Sequence, residues 1–168
     1  MVYVDTMVFV YHFLSSLRNQ HLTSKANRFL KDIENGKYIG IVTTFTIAEY
    51  LAVMKGILCE KRNKQLSTEE ATIIKSKFEQ FINQMGIMLY DSDSLASKKQ
   101  IFSECESVIE RSIAFKGRQD RKWHYIKGAD ALHVALAISV NAEAIATFDD
   151  DFRGINGSIS PLMLYEVY

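Results

Sequence analysis

ADALHVALAISVNAEAIATFDDDF, residues 129–152, decides the reading of the fold. Its first half, Ala129–Val140, is a strongly apolar helical stretch. After the break at Asn141 comes Ala144–Phe148, a run of strand length that stops at Asp149. Asp130 stands in the first turn of the preceding helix. A helix feeding a short buried strand is half of a βαβ unit and predicts a largely parallel sheet.

The same alternation extends outward to both ends. Val2–Val4 is a β-branched run, and MVYVDTMVFVYHFL, residues 1–14, reads with it as a buried strand. Asp5 at its centre and the lack of a basic leading segment argue against a leader peptide. Residues 24–35 predict a helix, with a Thr23-Ser24 cap, Ala26, Phe29, Leu30 and Ile33 at helical spacing, and Gly36 as C-cap. Tyr38–Val42 is strand-like, and Thr46–Leu58 places Ile47, Leu51, Met54 and Leu58 on one helical side. Ser67–Met85 opens with the Ser67/Glu70 spacing of a capping box. Ile87–Tyr90 predicts a third strand, 94–113 a helix carrying Leu95, Phe102, Cys105, Val108 and Ile109, and 116–128 a loop. Ser160-Pro161 leads into Leu162–Val167, read as an edge strand.

Composition bounds the function. The chain has 168 residues, 48% apolar and 24% charged, with one Pro and eight Gly, which predicts a single ordered domain over 1–168 without a linker. Twenty basic and twenty acidic residues cancel, so any nucleic-acid binding must come from local charge rather than a general coat. Cys59 and Cys105 form no zinc motif, and free thiols point to a reducing cytoplasm. The most apolar late stretch carries Asp130, His133, Asn141 and Glu143, so no membrane span is expected.

In open parallel sheets the site lies at the carboxyl ends of strands. Asp5 follows the first strand and Asp149 the last of the core. Glu49 lies in the first turn of the Thr46 helix and Asp130 in that of the Ala129 helix. Two unit charges about 4 Å apart repel by roughly 4 kcal/mol at an effective dielectric of about 20. Four carboxylates in one pocket therefore call for protons or cations, and hard oxygen ligands without Cys favour Mg²⁺ or Mn²⁺. Plainer readings exist: Thr46-x-x-Glu49 as a capping box, Asp130 as a helix-dipole partner, Asp149–Asp151 as an acidic turn. Asp5 is harder to explain away, because acids are disfavoured in strands. His133, three residues after Asp130, reads as a packing residue in preference to a support for an acid. His12, His21 and His124 have no partner at ligand spacing.

The order of these residues resembles the PIN domain, the ribonuclease domain of VapC-type toxins. The matching segments are VYVDTMVFV, TFTIAEYL, GADALHVALAIS and IATFDDDF. The resemblance implies a three-layer α/β/α fold around a mostly parallel sheet of four to five strands. It assigns Asp5, Glu49, Asp130 and Asp149 as the catalytic and metal-holding quartet, with Asp151 as a further ligand. Thr6 and Thr147 would support the acids from behind. It also implies an Mg²⁺- or Mn²⁺-dependent endoribonuclease, often a toxin held by a small antitoxin, and often a homodimer. Met7 departs from the polar residue of many members, and 59–70 and 115–127 are longer than in compact ones.

The loop before Asp130 adds Lys116, Arg118, Arg121, Lys122 and Lys127 against the single acid Asp120, with Trp123, His124 and Tyr125 among them. Basic charge tracks a phosphate backbone and aromatics stack unpaired bases, so this loop is read as guiding RNA. A solvated surface loop is the plainer alternative. A dimer face is expected on the 67–85 and 94–113 helices, which are rich in aromatics and Met. Three rivals stand: an RNA-processing or decay nuclease without an antitoxin, a non-catalytic RNA- or partner-binding relative, and a phosphotransferase of the haloacid-dehalogenase kind. The last needs Asp-x-Asp-x-Thr, and Arg153 occupies the Thr position.

Overall fold

β1 (Val2–Val4) shows how the layers arise. Val2 and Val4 face one side of the sheet and Tyr3 the other, the two-residue alternation of a pleated strand buried on both faces. The computed structural model describes residues 1–14, 20–92, 98–117, 121–157 and 159–168. β2 (Gly40–Thr43), β3 (Met88–Tyr90), β6 (Ala144–Thr147) and β7 (Ser160–Met163) join β1 in a five-stranded, all-parallel sheet of order β3-β2-β1-β6-β7. α1 (Thr6–Phe13), α2 (Gln20–Glu34), α3 (Thr44–Arg62), α4 (Thr68–Gln84) and the short α7 (Leu164–Val167) cover the face of Val2, Val4 and Val42. α5 (Lys98–Arg111) and α6 (Gly128–Ser139) cover the face of Tyr3, Ile41 and Ile145. This is the expected three-layer α/β/α architecture.

The chain runs outward from β1 to β2 and β3, then returns to the other side of β1 as β6 and β7. The point of reversal, between β1 and β6, is where an open parallel sheet leaves a crevice at its carboxyl edge.

Several local expectations need correction. Residues after Val4 do not continue the strand: Thr6–Phe13 is helical. Thr6, Val8, Phe9 and Val10 are all buried, so the segment lacks the one-sided period that marks a surface helix. Phe9 meets Phe78 edge-on at 5.0 Å. α2 starts at Gln20, which leaves Thr23 buried inside it rather than capping it. α3 starts at Thr44 with Thr43 as N-cap, so Thr46 does not open the helix and Glu49 lies beyond the first turn. The loop 116–128 contains a small antiparallel ladder, β4 (Phe115–Lys116) with β5 (Trp123–His124). Leu164–Val167 is helical, and the edge strand ends at Met163.

Other signals are met. Ser67 accepts from the Glu70 amide at 3.2 Å while Glu70 accepts from the Ser67 amide at 2.9 Å. Gly36 takes the left-handed φ of 76° that closes a helix without a Cβ penalty. The start of the 94–113 helix, with Leu95, lies outside the described residues. Among the described residues, no helix is long and apolar enough to cross a membrane.

Candidate active site

Asp5 takes the N-cap position of α1, yet its side chain does not cap the helix. The carboxylate instead accepts from Thr147 Oγ1 at 2.8 Å, across to β6. The same Thr147 oxygen accepts the Asp149 amide at 2.9 Å. One hydroxyl thus fixes the acids that follow β1 and β6, and Asp5 N–H bonds Ala146 O at 3.0 Å beside it. Asp5 is only 4% exposed. Burial pushes its carboxyl up to about 6; His133 and the Thr147 hydrogen bond pull it down, and the Glu49 and Asp149 charges push it further up.

Glu49 enters from α3, half-buried. Burial pushes it upward, but the hydrogen bond and charge of His133 outweigh that and hold it below the usual carboxylate range. Its Oε2 lies 2.6 Å from His133 Nε2. The Thr6 hydroxyl is buried and forms no well-aligned hydrogen bond, although it lies close enough to favour the charged Glu49.

Asp130 and Asp149 come from the start of α6 and the end of β6. Each spends one oxygen on a backbone amide: Asp130 on Lys127 N–H at 3.1 Å, Asp149 on Asp151 N–H at 2.9 Å. Beside the helix-start role expected of it, Asp130 therefore uses one oxygen as the N3 acceptor of a capping box on α6. Burial raises its carboxyl, the Lys127 amide opposes, and the Asp149 charge adds to the rise. Among the described residues, ligand atoms of Asp5, Glu49 and His133 lie within 4.8 Å of one another, and Asp130 and Asp149 stand outside that set. The charges of the quartet are nonetheless felt in sequence around the crevice, Glu49 and Asp149 by Asp5, and Asp149 by Asp130.

Asp151, expected as a further metal ligand, has both oxygens on basic side chains. His124 Nδ1 lies 2.9 Å from Oδ1, and the Lys127 ammonium binds Oδ2. Lys127, expected to meet RNA, is thereby turned toward Asp151, which raises its pKa. Lys116, Arg121 and Lys122 are exposed on or beside the β4–β5 ladder. Arg118 and Asp120 lie outside the described residues. Trp123 is 64% and Tyr125 51% exposed.

Sequence reasoning missed two parts of this site. One is the network behind Glu49, formed by His133, Tyr3, Thr43 and Thr46. The other is Tyr11, half-buried with its ring 5.2 Å from Phe148 and its phenol raised by burial and then by Asp149 and Asp5. No local spacing would have shown this: Tyr11 is six residues after Asp5, not the three or four of helical neighbours.

The donor set fits a hard divalent cation: buried and half-buried carboxylates, one of them pushed up by burial, and a buried threonine hydroxyl without a well-aligned hydrogen bond beside them.

The family model described as the PIN domain matches residues 2–157. Among curated proteins nothing matches. Among solved structures, a chain of VapBC2 from Rickettsia felis, bound to a DNA fragment from its promoter, is similar with a TM-score of 0.58 at 17% identity. The match covers 95% of this chain and 97% of that one. FitAcB from Neisseria gonorrhoeae gives 0.54 at 18% identity, covering 98% and 99%. VapC20 of Mycobacterium tuberculosis, a toxin that cleaves the sarcin–ricin loop, gives 0.54 at 12% identity, covering 93% and 97%.

Proposed function

The chain belongs to the PIN-domain family, and from that premise we propose that it is an Mg²⁺- or Mn²⁺-dependent endoribonuclease, the toxin of a toxin–antitoxin pair. One observation carries the reading: Asp5, Glu49, Asp130 and Asp149 lie toward the carboxyl edge around the point of strand reversal, with Asp5 buried among them and its carboxyl raised by that burial. PIN domains are in general nucleases that use divalent metals. The fold neighbours support the biological role, since one is a toxin that cleaves the sarcin–ricin loop and another is a VapBC complex.

Asp5, Glu49, Asp130 and Asp149 would hold the cation. When bound, such an ion lowers the pKa of the attacking water and neutralises charge developing on the phosphate. Thr147 keeps Asp5 and Asp149 in register. Thr6 offers its hydroxyl to Glu49 or to a water. Asp151 pins Lys127 and His124 at the mouth of the site, a supporting part distinct from direct ligation. Lys116, Arg121 and Lys122, with Trp123 and Tyr125, bring a single strand toward Asp130 through backbone charge and base stacking. No His or Ser nucleophile is required.

The test is cleavage of RNA by purified protein in Mg²⁺, Mn²⁺ or EDTA, beside Asp5→Asn and Asp130→Asn and with a small phosphate ester as control. RNA cleavage lost in EDTA and in both variants, with the ester untouched, is expected. Undiminished cleavage in EDTA would overturn the metal reading. Rescue of growth by a short neighbouring gene product would identify the antitoxin. The homodimer belongs to the same reading, through exposed Ile73 on α4 or Phe102 and Ile109 on α5, and light scattering tests it.

A further inference from the structure

Glu49 is held from behind by a chain of hydrogen bonds. His133 Nε2 meets its Oε2 at 2.6 Å. The other ring nitrogen, Nδ1, lies 3.0 Å from the Tyr3 hydroxyl. That hydroxyl lies 3.0 Å from Oγ1 of Thr43 and 3.0 Å from Oγ1 of Thr46. His133, Tyr3, Thr43 and Thr46 are at most 1% exposed. Burial raises the Tyr3 pKa far above its ordinary value, so Tyr3 stays a neutral hydroxyl that both donates and accepts.

The links come from β1, the end of β2, α3 and α6, so the network crosses the sheet and ties both helices that carry acids. Packing alone does not require it. The imidazole does pack, with Phe45 at 4.8 Å and Tyr3 at 5.6 Å. An apolar ring would fill that space without two nitrogens to desolvate, and a buried nitrogen left unmet is costly. Both nitrogens are met, and Nε2 meets Glu49. With Oε2 committed, Glu49 offers Oε1 to the crevice it shares with Asp5 and the orphaned Thr6 hydroxyl.

We propose that His133, braced by Tyr3, is a positioning residue that fixes the Glu49 carboxylate so that it serves the site through a single oxygen. This rests on the reading of the site as one that holds a divalent cation. Groups that orient a ligand in this way typically matter by about 10–100-fold in metal affinity.

The experiment is Mn²⁺ titration of the full chain, followed by the EPR signal of free Mn²⁺, with folding checked by circular dichroism. His133→Ala should lose about 10–100-fold in affinity. His133→Gln, whose amide nitrogen reaches toward the place of Nε2, should recover most of that loss. Tyr3→Phe should lose less than His133→Ala. In a Glu49→Ala background, which removes the acceptor altogether, His133→Ala should add nothing, a result that a merely structural role would not give. Wild-type affinity in folded His133→Ala, or an undiminished loss in the Glu49→Ala background, would overturn the proposal. If His133→Ala does not fold, His133→Gln carries the test: near-native affinity supports it and a tenfold loss sinks it. A wild-type chain that binds no Mn²⁺ removes the metal reading and this one with it, whereas Mn²⁺ binding lost in Asp5→Asn but intact in His133→Ala removes this one alone.

Discussion

The Asp5 carboxylate pays for its position in folding stability, and the size of the effect follows from its surroundings. Its value of about 6 against an ordinary 3.8 makes the folded protein the better proton binder. Such a group contributes stability in full below pH 3.8, and the contribution is lost as pH rises through about 6. The shift corresponds to about 3 kcal/mol above that window. In EDTA, Asp5→Asn should therefore melt well above wild type at pH 8 and no higher at pH 4. Thermal melts at pH 4, 6 and 8 check this, and equal midpoints at pH 8 would show that the charge is already compensated. The same substitution should abolish RNA cleavage in Mn²⁺, so stability and activity should move in opposite directions. Asp5 was legible in the sequence because an acid directly after Val-Tyr-Val has few structural uses. His133 was not, because its partner Tyr3 is 130 positions away and no local spacing announces the pair.

Among the elements, the β4–β5 ladder projects basic and aromatic side chains without contributing to the main core. Lys116→Ala and Lys122→Ala should each weaken RNA binding alike for all sequences, lowering the slope of log affinity against log salt by roughly 0.7. Trp123→Ala should lose about 1–3 kcal/mol of base stacking with little change in that slope. Fluorescence anisotropy with a single-stranded RNA in EDTA, over a series of KCl concentrations, separates the two effects. Helices with a clear polar face, α2 and α4, were readable from their periodicity, and α4 also from its Ser67/Glu70 cap. α1 was not, because a helix buried by α2, α3 and the sheet presents Val, Phe and Tyr all round, as a central strand does. The 3₁₀ turn Asp150–Gly154 was likewise hidden, since tertiary contact sets it: Ile113 N–H bonds Gly154 O at 2.9 Å, and a Cβ on Gly154 would lie 2.3 Å from Ile113 O.

For the molecule as a whole, the proposed cation binding would be linked to folding. A ligand at about 100 times its Kd that binds only the folded state stabilises it by about 2.7 kcal/mol. Mn²⁺ should raise the melting midpoint, EDTA should reverse the rise, and the rise should grow between pH 5 and pH 7.5 as Asp5 gives up its proton. Scanning calorimetry across that range checks it, and a rise independent of pH would place the ion away from Asp5. The parallel sheet and its order of layers were legible because helices and strands alternate along the chain. The strand order was not, since nothing local says that β6 returns beside β1.

That return also governs timing during synthesis. Asp5 and Thr147 bond across 142 positions, so the two sides of the crevice meet only after nearly the whole chain has left the ribosome. A nascent or truncated chain that stops before β6 carries Asp5, Glu49 and Asp130 but lacks both Asp149 and the hydroxyl that aligns it. If the chain cleaves RNA as proposed, the unfinished polypeptide would lack a complete site while it is beside the ribosome and message that are making it.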